Sequence, residues 1–87
     1  MGTMEIKTAT DWQIIYKNLQ QELQSVGYNP DLKKLIDNIN VMVSELSKLE
    51  VEARRTKNSV IVKPQLNLVN QAIFRLKALL LMAKLMK

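Results

Sequence analysis

From Leu32 onward, apolar residues recur at Leu35, Ile39, Met42, Leu46, Leu49 and Ala53, at spacings that alternate 3, 4, 3, 4, 3 and 4. A strand repeats every second residue, whereas an α-helix keeps positions three and four apart on one face. The pattern therefore predicts a helix over about 30–55, and Ile36 and Val43 widen its stripe into the face that a bundle helix buries. Its start is written in Asn29-Pro30-Asp31. Asparagine caps free amides, proline suits the first helical position, and aspartate faces the positive end of the helix dipole.

A second seam of Leu66, Val69, Ile73, Leu76, Leu80 and Ala83, flanked by Ala72, Leu79 and Met86, predicts a helix over about 64–86 that opens at Pro64. A shorter set, Trp12, Ile15, Leu19, Leu23 and Val26, predicts a helix over about 11–26. Thr10 reads as its N-cap with Gln13 completing a capping box, and Gly27 as its end, with Tyr28 adding an apolar contact. Trp12 reads as a core anchor at one end of the bundle; an exposed Trp12 would instead be an interface anchor. The expected fold is all-α: an antiparallel three-helix bundle, or a long helical hairpin with a shorter first helix packed across it. One domain spans 11–87. Residues 1–10 are expected to be a flexible N-terminus, in which Met1-Gly2-Thr3 ahead of Met4 reads as a cloning remnant. Val60-Ile61-Val62, in the connection, either packs back on the bundle end or pairs as an extended segment with another chain.

With 87 residues, no cysteine and no histidine, the chain lacks the commonest metal ligands and the commonest general base. Asp31 and Asp37, Glu45 and Glu52, and Glu50 and Glu52 do not form pairs suited to acid–base or cation chemistry. Two glycines leave no phosphate-cradling loop. No catalytic, cofactor-binding or metal-binding residue is expected. The longest unbroken apolar run, Ala78–Ala83, is short of the roughly 20 residues of a membrane span, and no signal peptide is visible. A cytoplasmic location is the default expectation.

Charge divides the chain. All eight acids precede Ala53, where five lysines leave a net −3, whereas residues 53–87 carry eight basic residues and no acid. Such asymmetry points to an acidic partner: phosphates, an acidic protein or an anionic membrane. The basic candidates are Arg54, Arg55, Lys57, Lys63, Lys77 and Lys84. Lys63, Asn70, Lys77 and Lys84 are seven apart and form a polar line along the third helix, which is either a solvated face or a strip for phosphates. Arg54 can instead pair with Glu50 at i, i+4. Aromatics are not interleaved with this line, so base-specific recognition is not expected.

The third helix also carries a second apolar stripe. Phe74, Ala78, Leu81 and Leu85, spaced 4, 3 and 4, fall almost opposite its seam. Either helix one or the N-terminal ten residues cover them, or they form an interface with a protein partner or a second copy. A membrane surface ranks last.

The long heptad helix from Leu32 to Ala53, the Arg54-Arg55-Thr56-Lys57 cluster and the acid-free segment from Pro64 to Lys87 together resemble the small helical binding subunits of crenarchaeal B-family replicative DNA polymerase holoenzymes. That resemblance implies a non-catalytic accessory subunit in DNA replication that docks on the polymerase catalytic subunit, with its basic strip toward DNA or an acidic subunit. The alternative is a self-associating helical adaptor with no nucleic-acid role.

Overall fold

A computed structural model describes residues 5–86. Among these residues the fold is all-α: α1 spans Ala9–Val26, α2 Pro30–Thr56 and α3 Lys63–Leu85, with a 3-10 turn over Ser59–Val62. The molecule is elongated, 48 × 27 × 18 Å, as one layer of long helices requires.

α2 begins as its sequence dictates. The Asn29 side chain accepts from the Asp31 and Leu32 amides at 3.0 and 3.2 Å, so two of the four free N–H groups of the first turn are satisfied. It ends at Lys57, whose φ of 56° is left-handed and whose amide closes on the Ala53 carbonyl. The buried line is Leu32, Ile36, Ile39, Val43, Leu46 and Ala53, while Leu35, Met42 and Leu49 are half-buried. The stripe was foreseen, but its centre is turned toward Ile36 and Val43, because two neighbours share it. From α3 it receives Val69, Ile73, Leu76 and Leu80, and from α1 Trp12 and Leu19.

The connection is neither extended nor free. Asn58 accepts from the Val60 amide, the 3-10 turn packs on α2, and Val62 joins the core, while Val60 stays exposed. Gln65 then donates to the Met42 carbonyl at 2.9 Å and ties the start of α3 to the middle of α2.

α1 starts two residues earlier than expected, with Thr8 and not Thr10 as its N-cap. Asp11 decides this. Its carboxylate accepts from the Lys7 and Thr8 amides at 2.8 and 3.1 Å, and a charged acceptor at the positive end of a helix outcompetes the neutral Gln13. Residues 5–8 are correspondingly not a loose tail: Ile6 is 1% exposed. Residues 1–4, the rest of the expected flexible N-terminus, lie outside the described residues. Gly27 ends the helix with a φ of 80°, a value that side-chain-bearing residues avoid. Tyr28 is exposed and does not make the expected apolar contact beyond it.

The amide hydrogen bonds from Lys7 and then Thr8 hold the Asp11 carboxyl below the ordinary carboxylate value, against a small opposing effect of burial. A carboxyl with a lowered folded-state pKa stabilises the fold above its unfolded value of about 4, and loses that contribution as pH falls through the folded value. Asp11→Asn should therefore lower stability by about 1 kcal/mol at neutral pH, and the difference should close in strong acid. Urea titrations followed by circular dichroism at pH 7 and in acid check this.

Candidate functional site

α3 has three distinct sides, and the other two helices occupy two of them. Its seam faces α2. Of the polar line Lys63, Asn70, Lys77 and Lys84, the last three lie on the side of α3 next to α1 and the N-terminal segment, where Asn70 and Lys77 are half-buried, while Lys63 and Lys84 stay exposed. Asn70 accepts from the Ile6 amide at 2.7 Å and donates to the Ile6 carbonyl at 3.2 Å, so one side chain clasps both main-chain groups of the N-terminal segment. Lys84 pairs with Glu22 of α1. Lys77 is half-buried; desolvation lowers the pKa of its ammonium while Glu22 opposes the shift. α1 and the N-terminal segment can pack beside Asn70, Lys77 and Lys84 because each of the three finds a partner, or lies near a counter-charge, on that segment.

The Arg54 cluster also differs from expectation. Glu50 does not pair with Arg54; its Oε2 accepts from the Ala9 amide at 2.8 Å, where the first turn of α1 needs acceptors. Arg55 instead holds Glu52 through both carboxylate oxygens at 2.7 and 2.8 Å. Arg54, Lys57 and Lys63 remain exposed around the α2–α3 connection. Trp12 is buried as the core anchor, its Nε1 donating to Asn40 at 2.8 Å and its ring lying 5.7 Å from that of Tyr16.

The third side of α3 has no cover among the described residues. Phe74 is 76%, Leu81 58% and Leu85 78% exposed, and Ala78 between them is exposed too. Met82 and Met86 extend the patch. Of the expectations for this stripe, burial under α1 or under residues 5–10 fails, because α1 and Ile6 pack on the Asn70–Lys84 side and the strip stays exposed; residues 1–4 lie outside the described residues. A trough of about 910 Å³ runs along this face, with Asn67 and Gln71 at its polar end and Phe74, Ala78 and Leu81 as its apolar floor. Arg75 and Lys77 flank it, and Glu5 closes one wall. Solitary exposed leucines are ordinary, whereas a contiguous apolar strip along one helix is the mark of a contact surface.

The double apolar character has a second effect. An 18-residue window within Ser59–Leu85 reaches a mean hydropathy of 1.3, which is apolar and long enough to cross a membrane by composition alone. The unbroken run of six residues understated this, because seam and outer stripe add together. Only 28% of that window is buried. No group of three or more metal-ligating side chains occurs among the described residues. Compared with known proteins, the chain matches no family model, no curated protein and no solved structure.

Proposed function

We propose that this protein is a non-catalytic helical docking subunit that binds a protein partner through the outer face of α3. The observation that carries the reading is the strip Phe74, Ala78, Leu81 and Leu85, exposed along a helix whose other two sides are packed. Water-facing apolar surface on this scale is unfavourable by roughly 25 cal/mol per Å², so a partner that covers it gains accordingly. The partner class suggested by the sequence resemblance is the catalytic subunit of a DNA-processing enzyme, a replicative DNA polymerase, with a cytoplasmic location. In that assembly Arg54, Lys57 and Lys63 are the basic groups left to lie toward DNA, since Arg55 and Lys84 are ion-paired within the chain and Lys77 borders the trough. Contact there would be with phosphates and not with base edges.

Leu81→Glu tests the reading. The side chain already faces water, so helicity and thermal midpoint should be unchanged, while affinity for the polymerase catalytic subunit should fall by roughly a hundredfold or more. Titration of the labelled protein with that subunit, alongside circular dichroism of the variant, gives both numbers. Loss of helicity would assign the strip to the core and end the proposal. An unaltered affinity would move the contact elsewhere, and a dimer broken by Leu81→Glu would favour the self-associating adaptor.

A further inference from the structure

The outer strip of α3 is half of a coiled-coil seam. Asn67, Gln71, Phe74, Ala78 and Leu81, all lining the trough, are spaced 4, 3, 4 and 3, and Leu85 continues the pattern. Assigned to a heptad, these are alternating d and a positions, apolar from Phe74 onward. The flanking e and g positions then contain Arg75, Lys77 and Lys84, and α3 offers no carboxylate at any position. In a two-stranded contact, side chains at e and g choose the partner by charge. A second copy answers poorly. An antiparallel pairing of two α3 helices sets arginine toward arginine and lysine toward lysine. A parallel pairing meets asparagine and methionine and still supplies no acid. Arg75 is exposed and Lys77 half-open beside the trough, and neither is in a salt bridge among the described residues; Glu5 is the single carboxylate that also lines the trough, against these two cations. The strip borders a shallow recess of about 910 Å³, which a helix of about 10 Å diameter can enter.

We propose that the seated element is an acidic amphipathic helix of the partner protein, its apolar a and d residues on Phe74, Ala78 and Leu81 and its carboxylates toward Arg75 and Lys77. This inference rests on the docking reading above and names what docks.

The test is selection from a displayed library of three-heptad helices. Leucine is fixed at a and d, and each e and g position is free to be glutamate, glutamine or lysine. The full-length protein is the bait. Recovered helices should be rich in glutamate at e and g. Their affinity should fall by about tenfold or more in Leu81→Glu, and by about tenfold in Arg75→Glu, a variant that should instead favour lysine. Recovery of glutamine or lysine helices that still depend on Leu81 would overturn the acidic partner and leave the docking face standing. Failure to recover any helix that depends on Leu81 would overturn both. Sedimentation showing a micromolar dimer that Leu81→Glu dissolves would give the seam to a second copy. Leu81-dependent binding to phosphatidylglycerol vesicles, uncompeted by the selected helices, would give it to a membrane. Either result rejects the acidic helix.

Discussion

Trp12→Ala is expected to remove about 3–5 kcal/mol of stability. Trp12 is 1% exposed and fills the space between α1 and α2, while its indole nitrogen holds Asn40. Truncation opens a cavity and also removes the hydrogen bond to Asn40. A chain of this length has only roughly 4–13 kcal/mol in total, so the loss is a large share of it. Because α2 and α3 share their own seam of Ile39, Val43, Leu46, Val69, Ile73 and Leu76, part of the helicity should survive the loss of this anchor. Urea unfolding followed by far-ultraviolet circular dichroism checks this. A loss under 1 kcal/mol would mean that Trp12 is not the anchor of α1.

Asn70→Asp should be nearly as damaging, although it replaces one atom. The amide of Asn70 both accepts from and donates to the main chain of Ile6. A carboxylate keeps the acceptor but sets a second oxygen against the Ile6 carbonyl, so one hydrogen bond becomes a repulsion. The expected cost is about 2–3 kcal/mol, and Asn70→Ala, which removes both bonds without adding charge, should cost about 1–2 kcal/mol less than that upper figure. Hydrogen exchange at the Ile6 amide should accelerate in both variants, because this contact joins residues 64 apart in the chain. Unchanged exchange at Ile6 would show that the clasp contributes nothing to holding the N-terminal segment.

The three seams were legible because each is long and periodic, and they placed every helix within two residues of its observed ends. The Asn29-Pro30 start of α2 was legible because its chemistry is local. Ile6 and Ala9 were not, since an isolated apolar residue ahead of a helix carries no period. The N-cap was misplaced because Thr8-x-x-Asp11 and Thr10-x-x-Gln13 fit the same pattern, and only the greater strength of a charged acceptor separates them. The outer strip of α3 was visible as a pattern, but its exposure was open. Sequence periodicity states which faces are apolar and not which groove a third helix takes. The polar line through Asn70, Lys77 and Lys84 looked like a surface because its partners, Ile6 and Glu22, lie more than fifty residues away. The same long-range pairing took Glu50 from Arg54 and gave it to Ala9.

α3 carries no carboxylate, so whatever counter-charge its lysines meet inside the molecule is lent by the first half of the chain, as Glu22 does for Lys84. As a free peptide it would be a cationic, leucine-rich helix of the sort that coats anionic surfaces without discrimination. Burial of the seam against α2, and the packing of α1 and Ile6 beside Asn70 and Lys84, occupy two of its three sides. The acidic half of the chain thus works as a sheath that leaves a sticky rod with a single edge, and that narrowing is what makes selectivity attainable.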